Sequence, residues 1–302
     1  MEAVAEAERA ARQVTAWSSA RLTFERIDGG ITNRNVKVTV DGAASYMFRF
    51  PGERTELLGI DRAGEIEASY RAADLGIGPP VFGELPGVGT LITGFVDGVH
   101  ADFTADRIEA VIRLVKRLHG GGELAHHFPI FRVVERHARD AAAHGGTVPQ
   151  GYDRLAVRAR EIERAFDAAP DPPVPCHNDL LPANVLFGRE RAWLLDFEYA
   201  GMNDRYFDLG NLSVNSRFDD SADDLLLATY FDSVGPRERA RLALMKVMSE
   251  LREGMWGVVQ KSISTLTNVD FGDYAAERLG NCRRLSEARD FDALLEAAAS
   301  PR

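Results

Sequence analysis

The sequence predicts a bilobal α+β protein: a small antiparallel β-sheet lobe with one helix, then a larger, mainly helical lobe. Apolar residues alternate with period two between Arg21 and Phe50, and from Thr104 onward they recur with the helical period. One short β-type hairpin, Val185 to Leu195, interrupts the helical half. The change of period falls near Gly94 to Gly98, which divides the chain into an N-terminal lobe of residues 1–96 and a C-terminal lobe of residues 97–302.

The elements follow in order. Leu22, Phe24 and Ile27 form one strand, Val36, Val38 and Val40 a second, and Tyr46, Phe48 and Phe50 a third. Asp41-Gly42 supplies the positive-φ residues that a hairpin turn between the last two requires. Gly76 and Pro79-Pro80 close a following helix, because glycine ends helices and proline cannot continue them. Val81-Phe82 and Thr90-Leu91-Ile92 make two more strands around Pro86-Gly87. Thr104 is the expected cap of a helix whose inner face is Ile108, Val111, Ile112, Val115 and Leu118. Gly/Pro-rich segments at 145–149 and 170–175 read as loops, and Cys176 as the end of a buried strand. Residues 1–20 carry no assigned role.

A chain of 302 residues buries a substantial core. Its formal net charge of -10 speaks against a nucleic-acid partner, which needs a basic stripe, and is compatible with a cationic small molecule. Apolar runs are too short for membrane insertion, no signal-peptide pattern opens the chain, and the 2 cysteines form no disulfide framework. The expectation is a cytoplasmic protein. Its oligomeric state is left open, a homodimer included.

The chemistry concentrates in His177-Asn178-Asp179-Leu180-Leu181-Pro182-Ala183-Asn184, followed 12 residues after its Asn by Asp196-Phe197-Glu198. Between them, Val185-Leu186-Phe187 and Ala192-Trp193-Leu194-Leu195 form a hairpin that carries Asn184 and Asp196 to the same end. An Asp that accepts a hydroxyl proton, an Asn 5 residues on and an Asp after the next hairpin are the parts of a phosphotransfer site. Asp179 is the candidate base. Asn184 and Asp196 are candidate ligands of Mg2+, which prefers hard oxygen donors and takes its remaining ligands from water and phosphate.

The runs Cys176-His177-Asn178-Asp179, Asn184-Val185-Leu186, Leu195-Asp196-Phe197-Glu198-Tyr199-Ala200-Gly201 and Phe207-Asp208-Leu209-Gly210-Asn211 resemble the choline/ethanolamine kinase family of the aminoglycoside-phosphotransferase-like, protein-kinase-like enzymes. The resemblance implies ATP as co-substrate, Mg2+, and a small amino alcohol, choline or ethanolamine, as acceptor. It also implies a phosphate cover at Gly29-Gly30, with Asn33 donating to phosphate, and places Arg49 where protein kinases carry lysine. Glu65 is then Arg49's partner on the following helix, with Glu67 solvated, and Gly94-Phe95-Val96 is the segment that meets adenine. Glu198 is a further metal or pocket residue, His177 a structural residue, and Asp208 a brace for the catalytic loop.

The segment from Arg252 to Gln260, with Asp273-Tyr274-Ala275, is similar to the family's acceptor-binding segment. Trp256 and Tyr274 are therefore aromatic cage candidates for an ammonium group. The chain departs from the usual pattern at Glu253, where a second Trp is common, and at Leu181 and Asn215. A pocket-facing Glu253 would favour a primary amine such as ethanolamine; a solvated Glu253 is the alternative. The competing functions are a kinase of another hydroxyl compound, thiamine or an aminoglycoside, and a catalytically inactive nucleotide-binding relative.

Overall fold

The computed structural model describes residues 2–27, 33–52, 55–85, 90–266 and 269–301. Strands β1 (Leu22–Ile27), β2 (Asn33–Val40), β3 (Ala44–Pro51), β4 (Val81–Leu85) and β5 (Thr90–Gly94) form one antiparallel sheet in the order β1-β2-β3-β5-β4. Alternation sorts its side chains: Val36, Val38, Phe48, Phe50 and Ile92 are buried in one cluster. Arg49, between two of these, points to the other face, as the pleat requires. The β2–β3 turn holds Asp41 and Gly42 at positive φ, 53° and 71°. The Pro86-Gly87 turn lies outside the described residues.

The buried face is covered by a helix that the period argument does not anticipate. Helix α1 (Glu2–Ala11) and a 3-10 turn at Thr15–Trp17 lay Ala3, Ala7, Ala10, Ala11 and Trp17 on the sheet. Among the described residues the first lobe thus has two α-helices, not one. A stripe of alanines gives little hydropathy contrast in sequence, yet its small side chains let the helix sit close to the strands.

Helix α2 (Arg62–Asp74) starts at Asp61, whose side chain accepts from the Gly64 N–H at 2.8 Å. It ends at Gly76 (φ 63°), where the Gly76 N–H bonds the Ala73 carbonyl and the Ile77 N–H the Ala72 carbonyl. Its Ala68 and Ala72 belong to the large hydrophobic cluster of the helical part, so α2 is held by the second lobe. Glu67 on this helix is not simply solvated: it accepts the Ala125 N–H at 3.0 Å.

The helical part comprises α3 (Ala105–His119), α4 (Ile130–Ala143), α5 (Tyr152–Ala168), α6 (Arg205–Asn215), α7 (Asp220–Tyr230), α8 (Pro236–Ile263), α9 (Phe271–Ser286) and α10 (Phe291–Ala298). Thr104 stands at the N-cap of α3, but its side chain makes no capping bond. Strand β6 (Val174–Cys176) pairs with β9 (Gly201–Asn203), and β7 (Val185–Phe187) with β8 (Ala192–Leu194), both antiparallel. Helix α8 runs through the middle of this part against α4, α6, α9 and α10, which is why even its Arg252 and Glu253 are buried. Among the described residues no helix is long and apolar enough to cross a membrane.

Candidate active site

The loop between β6 and β7 is shaped by side-chain acceptors from α6. Asp208 accepts the His177 N–H at 2.8 Å and the Asn178 N–H at 2.7 Å, and Asn211 accepts the Leu180 N–H at 2.5 Å. Asn178 sits at φ 63°, and its side chain bonds the Tyr199 carbonyl at 2.9 Å and the Asn203 amide at 2.8 Å. Asp208 is itself held by His119 Nε2 at 3.0 Å, and His119 Nδ1 by the Tyr230 hydroxyl at 2.6 Å. His119, Cys176 and Asp208 lie close enough to ligate a metal, but the Asp208 oxygens are spent on N–H donors, so the cluster acts as a brace. His177 Nε2 donates to the Leu195 carbonyl at 2.8 Å, and burial lowers its pKa, which keeps the ring neutral.

This loop presents Asp179 beside Asn184. The Asn184 amide nitrogen donates to the Asp179 carbonyl at 2.9 Å and to its Oδ2 at 3.1 Å, leaving the amide oxygen as the end able to bind a cation. Burial pushes the Asp179 carboxyl up to about 7; Arg252 opposes the rise, and Glu253 and Asp196 add to it. The Leu195 N–H bonds the Asn184 carbonyl at 2.8 Å, which ties the exit of β8 to the entrance of β7. Asp196 follows at φ 65°, a left-handed conformation rare outside glycine and Asn/Asp. The hairpin therefore brings Asp179, Asn184 and Asp196 to one end.

Opposite them stands a cluster of acids and guanidiniums. Arg49 pairs with Asp196, with Glu65 at 3.3 Å and with Glu198 at 3.9 Å, while Arg62 pairs with Glu65 and lies 3.8 Å from Glu198. Burial disfavours the charge on Arg49, but Asp196, Glu65 and Glu198 outweigh it and raise its pKa. Asn33 donates to Glu198 at 2.8 Å, so here its amide serves a carboxylate. Gly29 and Gly30 lie outside the described residues. The Phe95 N–H bonds the Ser45 carbonyl at 2.9 Å and the Gly94 N–H the Pro80 carbonyl at 2.7 Å, while the Lys37 ammonium stands 4.1 Å from the centre of the Phe95 ring. Arg62 is absent from the sequence reading; its signal was its place three residues before Glu65 at the helix start.

The third wall comes from α8 and α9. Trp256 packs edge-on against Tyr274, ring centres 5.8 Å apart, and its Nε1–H donates to the Tyr199 hydroxyl at 3.0 Å. Glu253 is 3% exposed, which removes the solvated alternative. Its Oε1 accepts from Arg252 and its Oε2 from the Tyr274 hydroxyl, both at 2.5 Å. Burial alone would raise the Glu253 pKa, but Arg252 and the Tyr274 bond bring it below the usual value. Arg252, to which the sequence reading gave no role, also donates to Asp179 Oδ1 at 3.0 Å. Asn215 accepts from Arg278 at 2.9 Å, behind this wall.

The site fits oxygen ligation of a divalent cation. Asp196 and Glu198 offer carboxylate oxygens and Asn184 its amide oxygen, the hard donors a divalent cation takes.

Residues 23–245 match the model of the phosphotransferase enzyme family. Ethanolamine kinase 2 of Mus musculus is 26% identical over 300 residues, covering 87% of this chain and 76% of that protein. Protein LicA of Haemophilus influenzae is 31% identical over 117 residues, a match that spans 37% of this chain and only 43% of LicA. The crystal structure of a choline/ethanolamine kinase family protein from Mesorhizobium loti superposes with a TM-score of 0.84 at 29% identity, covering 98% of this chain and 99% of that one. Choline kinase LicA from Streptococcus pneumoniae shares the fold, with a TM-score of 0.75 at 23% identity over 88% of this chain and 94% of its own. The chain thus belongs to the phosphotransferase enzyme family, with the bilobal protein-kinase-like fold that it shares with the choline/ethanolamine kinase family protein of Mesorhizobium loti.

Proposed function

We propose that this protein transfers the γ-phosphoryl group of ATP, in a Mg2+-dependent reaction, to the hydroxyl of a small amino alcohol of the choline/ethanolamine class. The observation that carries this reading is the convergence of Asp179, Asn184 and Asp196 at one end of a hairpin, facing Arg49 paired with Glu65. Asp179 orients the acceptor hydroxyl and takes its proton; because phosphoryl transfer is loose, alignment is the larger part of that contribution. Arg49, on a strand and fixed by Glu65, is placed to bind phosphate oxygens with its planar fork. Asn184 through its amide oxygen, Asp196 and Glu198 would hold Mg2+. A divalent ion there supplies charge neutralisation between phosphate oxygens. Trp256, Tyr274 and Glu253 line the acceptor side.

The test is coupled ADP release with Mg2+-ATP against choline, ethanolamine, thiamine and an aminoglycoside, with Asp179→Asn as blank. Turnover on choline or ethanolamine that the mutation and EDTA both abolish is the expected result. Turnover confined to thiamine or the aminoglycoside would reassign the acceptor, and silence on all four would remove the kinase reading.

A further inference from the structure

One nitrogen joins the candidate base to the acceptor wall. Arg252 is 2% exposed, and its Nη1 donates to Asp179 Oδ1 at 3.0 Å and to Glu253 Oε1 at 2.5 Å. Its other edge, Nε and Nη2, is buried with no hydrogen-bond partner among the described residues. A guanidinium placed for stability alone spends its planar fork on parallel bonds to one carboxylate. Here two donors go unused while a single nitrogen carries both acids, and a buried group left unsatisfied calls for a reason other than stability. The arrangement is held by the wall itself: the guanidinium carbon lies 4.4 Å from the centre of the Tyr199 ring, and the Tyr199 hydroxyl accepts from Trp256 Nε1 at 3.0 Å. The second Asp179 oxygen is taken by the Asn184 amide at 3.1 Å, so the carboxylate is fixed from both ends.

The shared nitrogen sets a length. Because it touches both acids, Asp179 Oδ1 and Glu253 Oε1 can be no farther apart than those two bonds laid end to end. Only a molecule whose hydroxyl and ammonium are themselves near neighbours reaches both acids at once, and two carbons are the shortest stable spacer between such groups. Glu253 stays ionised despite its burial, because Arg252 and the Tyr274 hydroxyl outweigh the burial. Its Oε2 meets that hydroxyl at 2.5 Å, where the Tyr274 and Trp256 rings stand edge to face, so carboxylate and aromatic faces together suit an ammonium head. We propose that Arg252 is a positioning residue that fixes the span between base and head-group site: it holds Asp179 and Glu253 close together, so that one acceptor sets its hydroxyl on Asp179 and its ammonium against Glu253 and the Trp256 and Tyr274 rings, and two-carbon amino alcohols are selected over longer ones. The inference rests on the amino-alcohol acceptor read above and adds its length.

The test compares kcat/KM for two-carbon and three-carbon acceptors bearing the same head: ethanolamine against 3-aminopropan-1-ol, and choline against its three-carbon homologue. In the wild type the shorter member of a pair should be preferred by about tenfold or more, since a misplacement of about 1 Å costs on the order of a hundredfold. Arg252→Gln leaves the two acids unbridged and repelling each other, so that preference should fall by about tenfold while KM for ATP stays unchanged. Glu253→Asp draws the head-group carboxylate back by one methylene and should shift the preference the same way. A merely structural role would lower both members of a pair by one factor and leave their ratio fixed, which overturns the proposal; so does a wild type indifferent to length. Should Arg252→Gln fail to fold, Glu253→Asp alone decides by the sign of its shift: toward the longer acceptor supports the proposal, and no shift or the opposite one overturns it. Wild-type silence on all four alcohols removes the proposed function and this inference with it, whereas turnover with a length preference that neither variant moves removes this inference alone.

Discussion

Asp179 lies between a guanidinium and an amide, its Oδ1 on Arg252 and its Oδ2 on Asn184. Those bonds fix the carboxylate plane, and burial sets its titration. With the carboxyl raised to about 7, the free enzyme holds its base in the reactive form only above that pH. We expect kcat/KM to fall about tenfold per pH unit below about pH 7 and to be level above it; a profile flat down to pH 5 would refute the raised pKa. The stability effect runs the other way. The native state keeps a proton that the unfolded chain releases near its reference value of about 3.9, so this group's contribution is full below about pH 4 and is lost as pH rises through about 7. At Arg49, replacement by Met removes the guanidinium that pairs with Glu65, Asp196 and Glu198. A loss of about 3 kcal/mol in thermal unfolding and a raised KM for ATP are expected. Arg49→Lys should recover little of the ATP affinity, because an ammonium is a point charge and cannot offer phosphate oxygens the two parallel bonds of a planar fork.

At the scale of elements, the crossing of α6 and α8 governs the catalytic loop. A Cβ at Gly210 would lie 2.8 Å from the backbone carbon of Met245 and 2.9 Å from the backbone nitrogen of Lys246, so the helices touch main chain to main chain. The same stretch of α6 carries Asp208 and Asn211, which hold the backbone N–H groups of His177, Asn178 and Leu180, and Asn211 is tied in turn to Ser249 on α8 at 2.9 Å. Gly210→Ala must push α6 away from α8. The expected outcome is a loss of about 1–3 kcal/mol by calorimetry, with kcat lowered more than KM for ATP, because Asp179 moves while the strand bearing Arg49 does not. An equal change in both constants would argue that the loop is held by other means.

For the whole molecule, α1 and Trp17 close the outer face of the sheet. Trp17 stacks on Phe48 and Phe82 at ring-centre distances of 5.7 and 5.2 Å, and Phe48 is fully buried beneath it. Trp17→Ala should cost about 3 kcal/mol. Because this cluster is distinct from the large helical one, the loss should appear as an early, separate thermal transition that Mg2+-ATP shifts upward. A single unshifted transition would mean that the two cores melt as one. Helix α2 joins the two halves: its Glu65 serves Arg49 on the sheet, while its Ala68 and Ala72 pack in the helical core.

The sequence by itself determined what short-range geometry encodes. Strand alternation through Phe50, the Asp41-Gly42 turn, the glycine stop of α2 and the hairpin joining Asn184 to Asp196 are all local, and neighbouring residues specify them through φ, ψ and side-chain period. Tertiary structure decided the partners. Arg252 meets Asp179 across 73 positions, and Asn33 meets Glu198 across 165. Neither contact leaves a periodic trace, because a charged residue reads the same whether solvated or buried until the helices around it are packed. Glu253 is the sharpest instance. Its local pattern allowed solvent or pocket, and the enclosure of α8 by α4, α6, α9 and α10, with Arg252 beside it, turned it into a buried counter-ion. The docking of α1 followed the same rule, since alanines gain their value only from the surface that approaches them.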